Sequence, residues 1–264
     1  MRGVVIDLEG KPMRELELPK VFQTRYRPDL IRRAVVALQT HRLQPKGRDP
    51  MAGKRTSAES YGVGHGLSRV PRVKGERHPR AGAAAFAPGT VKGRLAHPPR
   101  AEKVIWKKIN KKERKLALAS AIAATGNKEL VQGRGHITNG ISNFPIIVSD
   151  EIQKLDRTSK VIQALKGIGV WQDVERVISR QKILPRGLRS RGRVKRIPKG
   201  PLIVVGNDEG IVKGARNIPG VDVMTLNKLN VEALAPGTHA GRLTLWSESA
   251  ISGLEALFGG AMSH

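Results

Sequence analysis

The sequence predicts an α/β protein with a three-layer body, in which a mainly parallel sheet is flanked by helices, and a long extended basic loop that lacks regular structure. Short apolar strands alternate with amphipathic helices over most of the chain. Residues 44–101 keep neither a helical nor a strand period. Lys and Arg number 48 against 22 Asp and Glu, a net charge of +26. We therefore expect a globular body (1–43 and 102–264), an extended loop (44–101) and a second basic excursion from the body (186–199).

The first elements are two strands and a helix. Val4 to Leu8 and Met13 to Leu18 have strand character and are separated by a Gly-Lys-Pro turn. Pro28 opens a helix, because the residues that follow place an apolar stripe at helical spacing. The stripe consists of Leu30, Ile31, Ala34, Val35, Ala37 and Leu38. Outward-facing positions are predicted for Arg32, Arg33 and His41.

The predicted loop is dominated by cations. Gly and Pro recur every few residues, and a structureless segment of this length is usually functional or disordered. Residues 44–103 contain 13 Lys and Arg but only four Asp and Glu. Such a segment cannot offset its ordering entropy by forming a core. Folded RNA could order it, because phosphates accept hydrogen bonds from cations while bases stack on guanidinium planes and rings. The alternative is a flexible, solvated linker.

After the loop, strands and helices alternate. Regular structure is expected to resume at Glu102 to Trp106, and Lys111 to Ala124 is a strong helix with Leu116, Ala119, Ser120 and Ala123 on one face. The later predicted strands are Phe144–Val148, Leu202–Val205, Val221–Leu226 and Leu243–Trp246. The later predicted helices are Ser159–Leu165, Trp171–Arg180 and Ser247–Phe258. This alternation is typical of a parallel sheet covered on both faces.

Composition narrows the partners. So large a positive charge makes nucleic acid the default partner. The longest apolar runs, near Phe144–Val148 and Pro201–Val205, are far too short for a membrane-spanning helix, and charged residues interrupt any signal sequence at the N-terminus. We expect an intracellular, cytoplasmic protein with no membrane partner. Without cysteine, and with no His pair at ligand spacing, the sequence predicts no metal site and no cofactor.

Three features suggest an enzyme only weakly. Gly62-Val-Gly64-His-Gly66 lacks the strand, spacing and helix of a dinucleotide-binding loop. Gly66-Leu-Ser68 lacks the final glycine of a nucleophile elbow. Asp150, Asp208 and Glu209 follow predicted strands, where helix capping explains such residues more often than catalysis does. We predict that the protein is not an enzyme and that it has no catalytic residues.

The loop resembles large-subunit ribosomal protein four of the archaeal and eukaryotic type. The similarity lies in GKRTSAESYGVGHGLSRVPRVKG (53–75) and AAAFAPGTVKGRLAHPPR (83–100), and it continues in the body through PLIVVGNDEGIVKGARNIPGVDV (201–223). It covers nearly the whole chain. Relatives often carry Trp and Arg where this chain has Tyr61 and His65. The long C-terminal extension of eukaryotic members is absent, so an archaeal member is expected.

The resemblance implies a structural protein of the large ribosomal subunit that binds rRNA early in assembly. Its expected partners are large-subunit (23S-type) rRNA, neighbouring large-subunit ribosomal proteins, and the nascent polypeptide in the exit tunnel, whose wall the loop helps to form. The loop tip is expected where the chain must reverse. These tip residues are Lys74, Gly75, Glu76, Arg77, His78, Pro79, Arg80 and Ala81.

The candidate rRNA-binding residues are cations and rings of the loop, of the turn before the Lys111 helix, and of the second excursion. In the loop they are Lys46, Arg48, Lys54, Arg55, Tyr61, His65, Arg69, Arg72, Lys74, Arg77, Arg80, Phe86, Lys92, Arg94, His97 and Arg100. In the body they are Lys107, Lys108, Lys111, Lys112, Arg186, Arg189, Arg191, Arg193, Lys195 and Arg196.

Some alternatives remain open at this point. Packing roles are expected for Trp171 and Trp246 and favoured for Trp106, although the lysines that follow Trp106 leave RNA stacking open. Two rival functions are a nucleotide-dependent enzyme on a Rossmann-like body and a free-standing regulatory RNA or DNA binder. The first needs a phosphate-binding loop at a strand–helix junction, which the sequence lacks, and the second predicts sequence-specific binding by the isolated protein.

Overall fold

A computed structural model describes residues 2–189, 192 and 194–258. Within them the chain divides into two units, which are described separately. The first comprises residues up to Gln39 together with those from Lys107 onward, and the second is Thr40–Trp106.

The first unit contains a six-stranded sheet. Its strands are β1 (Arg2–Ile6), β2 (Pro12–Glu17), β5 (Ile146–Val148), β8 (Leu202–Val205), β9 (Asp222–Thr225) and β10 (Thr244–Ser247). The order across the sheet is β2-β1-β5-β10-β8-β9. Only the edge strand β2 runs antiparallel to its neighbour, and every other pair is parallel. The predicted α/β class with a mainly parallel sheet is therefore confirmed.

Helices cover both faces of this sheet. The longer ones are α1 (Pro28–Thr40), α2 (Lys111–Thr125), α4 (Thr158–Gly167), α5 (Trp171–Ser179) and α9 (Glu248–Phe258). The shorter ones are α3 (Lys128–Gly133), α6 (Arg186–Arg189), α7 (Ile211–Ala215) and α8 (Val231–Leu234). Short strand pairs complete the described elements: β3 (Ala58–Glu59) with β4 (Arg72–Val73), and β6 (Lys182–Ile183) with β7 (Lys195–Arg196).

Alternation along the strands produces two cores. Ile147 and Trp246 pack with α1, α2, α8 and α9 in one cluster. Ile146 and Leu245, one position away on the same strands, pack with α4, α5 and α7 in the other. Successive side chains of a strand point to opposite faces, so the sheet is the middle of three layers.

Several predicted elements need correction. Glu102–Trp106 contains no regular structure, and β5 begins at Ile146 rather than Phe144. Leu116 is exposed rather than part of the buried face of α2. The predicted loop does contain regular pairing, in β3 and β4. In each case the short length of the element, or its position at an element end, leaves too little periodicity to read.

Candidate nucleic-acid interface

The second unit is built on a small antiparallel arrangement. β3 pairs with β4, and Arg72 of β4 also bridges to Ala84. The Val73 amide donates to the Ala83 carbonyl at 2.9 Å, and the Gly82 amide donates back to the Val73 carbonyl at 3.1 Å. The chain thus reverses through residues 74–81. The side chains of Val73 and Ala85 are the buried hydrophobic ones in Thr40–Trp106, all of which is described.

Most predicted contact residues of this unit are exposed. Arg72, Arg80 and Arg94 are half-buried, and the other candidate cations of residues 44–101 are exposed. Tyr61 is 49% exposed, and its ring centroid lies 6.2 Å from that of His65. Phe86 is 37% exposed and adopts a φ of 64°, a left-handed conformation that is unusual for an aromatic residue.

The acidic groups of this unit neutralise few of its cations. Asp49 pairs with Arg55, and this hydrogen bond, with that from the Met51 amide, holds the Asp49 pKa below its ordinary value despite slight desolvation. Glu59 pairs with Lys74. The Arg72 guanidinium donates to the Gly82 carbonyl at 2.9 Å, a neutral acceptor that leaves its charge uncompensated. The unit therefore presents a surplus of positive charge to solvent.

A second basic surface lies on the first unit, beside α1. Lys107, Lys108, Lys111 and Lys112 are exposed, as predicted. Lys107 and Lys108 line a groove of about 570 Å³ together with two arginines of α1, Arg32 and Arg33. Arg32 and Arg33 were expected to face outward and do so, but the sequence did not identify them as candidate RNA contacts. Only the fold places them beside lysines 75 residues away.

The second basic excursion is a short hairpin. β6 and β7 pair antiparallel, and the exposed side chains of Arg186, Lys195 and Arg196 belong to this hairpin or the helix within it. The predicted contacts Arg191 and Arg193 lie outside the described residues, as does the side chain of Arg189.

A third cationic region was missed by the sequence. Arg134, Arg176 and Lys199 line one groove of about 740 Å³, with Tyr26 and His136. Behind it, Asp173 is fully buried and accepts hydrogen bonds from the Arg176 Nε at 2.8 Å and the Ile137 amide at 3.0 Å. These residues are dispersed along the chain, so no local run of charge announces them.

The acids that follow the parallel strands have structural partners. Asp208 caps α7, as predicted, because it accepts from the amides of Gly210 at 3.0 Å and Val212 at 3.3 Å. Asp150 was expected to cap the next helix but instead accepts from the amide of Ser249 at 3.0 Å, in the first turn of α9. Glu209 is exposed.

The tryptophans divide between core and surface. Trp246 is fully buried and meets Phe22 edge-on, with ring centroids 5.8 Å apart. Trp171 is half-buried against the second core cluster. The packing roles predicted for both are confirmed. Trp106 is 46% exposed, so the packing role favoured for it is wrong.

Two kinds of site were searched for among the described residues and not found. No helix there combines the length and apolar character that crossing a bilayer demands. In the same part of the chain, no three His, Asp or Glu side chains are grouped closely enough to hold a metal ion.

Comparison with known proteins connects this arrangement to a family. A profile of the Ribosomal protein L4/L1 family matches residues 16–257. The protein named large ribosomal subunit protein uL4 of Methanosphaera stadtmanae is 52% identical over 254 residues, covering 96% of each chain. Proteins of the same name from Methanopyrus kandleri and Sulfurisphaera tokodaii are each 49% identical and cover 98% of this chain, with 100% and 96% of their own lengths.

These matches extend over both units. The organisms are archaea, in agreement with the archaeal type expected from the sequence. The family consists of structural proteins rather than enzymes, which confirms the prediction that the chain is not an enzyme. The chain belongs to the Ribosomal protein L4/L1 family.

Proposed function

We propose that this protein is a structural component of the large ribosomal subunit, in the cytoplasm, and binds large-subunit rRNA early in assembly. The body docks on RNA through its basic surfaces. The segment 44–101 extends between RNA helices, and its tip, residues 74–81, forms part of the wall of the exit tunnel and meets the nascent chain. Neighbouring ribosomal proteins complete its surroundings.

One observation carries the proposal. The segment from residue 44 to 103 has 13 cations against four acids, and within Thr40–Trp106 the hydrophobic side chains that are buried are Val73 and Ala85. The apolar surface of those two side chains is too small to offset the entropy of ordering so many residues. A polyanion can replace the missing core, because each phosphate accepts hydrogen bonds from Arg and Lys and releases counterions on binding.

The tip assignment follows from the path of the chain. Residues 74–81 connect two antiparallel partners, and Lys74, Arg77 and Arg80 supply its cations. A reversing loop is the part of such a segment that reaches farthest from its own pairing. The names of the 49–52% identical relatives, all large ribosomal subunit proteins, support the same assignment.

Cosedimentation tests the ribosomal role. Tagged full-length protein should travel with large subunits in a gradient of cell lysate and remain there at moderate salt. A variant with Arg69, Arg77 and Lys92 changed to Gln should lose association as salt is raised, because each lost phosphate contact lowers the salt slope by about 0.9. The matched control changes Lys160, Lys213 and Arg216 of the body to Gln. Free sedimentation of the unaltered protein would refute the proposal.

Limited proteolysis tests whether RNA orders the segment. With purified protein, trypsin should cut first within residues 44–101, and added rRNA should protect those sites. The β6–β7 hairpin and α9 provide internal controls in the same digest. Full protection of 44–101 in RNA-free protein would contradict the idea that RNA supplies its core.

A further inference from the structure

The groove that contains Arg134 has the features of a nucleotide site. It has a volume of about 740 Å³ and lies between α3, the turn at Pro236–Thr238 and the segment before β8. Cationic lining comes from Arg134, Arg176 and Lys199. Glu129 is the acid among the lining residues.

Arg134 carries a charge that carbonyl groups orient but do not neutralise. Its guanidinium donates to the carbonyl of Pro236 at 2.8 Å and to that of His239. Burial, followed by the nearby charges of Arg242 and Arg176, lowers the Arg134 pKa to about 10, so the group is still protonated at neutral pH. An anion in the groove would relieve both the desolvation and the repulsion.

The other cations are held in place from behind. Arg176 binds the buried carboxylate of Asp173 and donates to the Lys199 carbonyl at 3.1 Å. The Lys199 ammonium lies 2.9 Å from Asp222, whose carboxylate also pairs with buried Arg242. Four cations thus share two acids, Asp173 and Asp222, and the surplus faces the groove. Side chains fixed in this way lose little entropy when they bind a ligand.

Tyr26 adds an aromatic surface to the same groove. Its side chain is 40% exposed. The backbone beside it is fixed, because the Arg27 amide donates to Ser120 Oγ at 2.7 Å and the Arg27 guanidinium binds Asp29 at 2.7 and 3.0 Å. Tyr26 also lines an adjoining groove of about 560 Å³ that runs to Phe22 and Pro145. A ring at the junction of two grooves is well placed to stack a base while a chain passes through both.

We infer that this groove binds an unpaired nucleotide of RNA, with its phosphate on Arg134 and Lys199 and its base stacked on Tyr26. The inference rests on the proposed function, since it adds an RNA contact on the body to those of the basic segment. A single-stranded nucleotide fits better than a duplex, because stacking on a protein ring requires a base freed from its neighbours.

Binding of full-length protein to transcribed 23S-type rRNA tests the site. Tyr26→Ala should weaken binding about tenfold, which is within the range for loss of one base–ring stack. Tyr26→Phe, which keeps the ring, should remain within about twofold. Arg134→Gln should weaken binding about tenfold and lower the slope of log K against log salt by about 0.9. Lys160→Gln, an exposed cation of α4 that lines neither groove, is the matched control.

The outcomes separate this inference from the ribosomal role. If the unaltered protein binds rRNA and the Tyr26 and Arg134 variants bind as tightly as Lys160→Gln, the site is refuted while the ribosomal role stands. An acidic segment of a neighbouring protein would then be the better candidate for the groove. If the unaltered protein does not bind, both proposals fail. Because Arg134→Gln could loosen the Pro236–Thr238 turn, thermal unfolding accompanies it, and the exposed Tyr26 provides the test independent of folding.

Adenosine monophosphate distinguishes a free nucleotide from one within RNA. We expect it to bind only weakly, because one nucleotide makes few contacts in an open groove and gains nothing from the adjoining one. Micromolar binding that Tyr26→Ala abolishes would overturn the assignment to RNA and indicate a mononucleotide site instead.

Discussion

Arg242 links the parts of the body that the strands alone leave separate. It is 1% exposed, and its guanidinium donates to the Gly200 carbonyl at 2.8 Å, to the Ala233 carbonyl at 2.9 Å and to the Asp222 carboxylate at 2.7 Å. Burying a charge is costly unless it is paired and hydrogen-bonded, and Arg242 satisfies both conditions. It thereby joins the loop before β8, α8 and β9.

Arg242→Lys should therefore be far from conservative. A lysine ammonium offers three donors from a single point and cannot span these acceptors, so carbonyl groups would be left buried without partners. We expect the free energy of unfolding to fall by about 3 kcal/mol. Urea denaturation followed by Trp246 fluorescence measures it. Arg216→Lys, at an exposed position, should change stability by less than about 0.5 kcal/mol, and an equal loss in both variants would contradict the argument.

His136 and Asp173 give the body a defined acid sensitivity. Burial lowers the His136 pKa below 6.5, even though its Nδ1 lies 2.9 Å from Asp173 Oδ2. Burial opposes ionisation of Asp173, but hydrogen bonds from His136 and Arg176 outweigh it and lower its pKa below 3.8. The folded state thus prefers a neutral imidazole beside an ionised carboxylate.

The sign of the pH dependence follows from these directions. A histidine whose pKa is depressed on folding resists protonation, so stability should fall as pH drops below 6.5. Asp173 contributes stability above 3.8, which is lost at lower pH. His136→Gln should flatten the dependence of the urea midpoint between about pH 5 and 7. His97→Gln, in the second unit, should leave it as in the unaltered protein, and a slope that survives in His136→Gln would assign the sensitivity elsewhere.

At the scale of elements, the second unit has a closure point where it can be cut. A side chain at Gly53 (φ 78°) would place its Cβ 2.4 Å from the carbonyl carbon of Gly93, so the two backbones touch. Both core clusters consist of residues outside Thr40–Trp106. Everything between these glycines can therefore be removed with little change to the core.

Joining Gly53 directly to Gly93 should leave the body folded but impair rRNA binding. We expect one cooperative unfolding transition with a midpoint close to that of the intact chain, because loop length itself changes stability only slightly. Affinity for rRNA should fall and become less sensitive to salt, since seven cations from Lys54 to Lys92 would be reduced to none between the junction glycines. Calorimetry and filter binding measure the two effects. Loss of cooperative unfolding would show that the segment supports the body.

Long or strongly patterned elements could be predicted from the sequence. α1 has an apolar stripe at helical spacing, and all four residues of β8 are buried and apolar. α3, α7 and α8 were missed, because helices of four to six residues span too few turns to show a period. Tertiary contacts stabilise such short helices instead.

The candidate interface shows the same limit. A basic segment is visible because its charges are adjacent in sequence. The groove lined by Tyr26, Arg134, Arg176 and Lys199 is not, because four distant parts of the chain supply it. Arg134 and Arg176 also appear unremarkable in sequence, since only the fold reveals which acids they face.

On the scale of the whole molecule, the class of sheet follows from pattern but the order of its strands does not. Continuous apolar runs indicate strands buried on both faces, which are typical of parallel sheets. Nothing in the run Leu202–Val205 or in Thr244–Ser247 states which neighbour it takes. Side-chain packing in three dimensions decides that β10 lies between β5 and β8.

That position of β10 has a consequence for synthesis. The strand that joins the two halves of the sheet is the last one to be made, so β1, β2 and β5 cannot meet β8 and β9 through their common neighbour until the chain is nearly complete. The cation-rich segment leaves the ribosome long before then, while the body is still open. A newly made molecule therefore passes through a stage in which its most adhesive part is available and its scaffold is not, and it is exposed to stray polyanions throughout that interval.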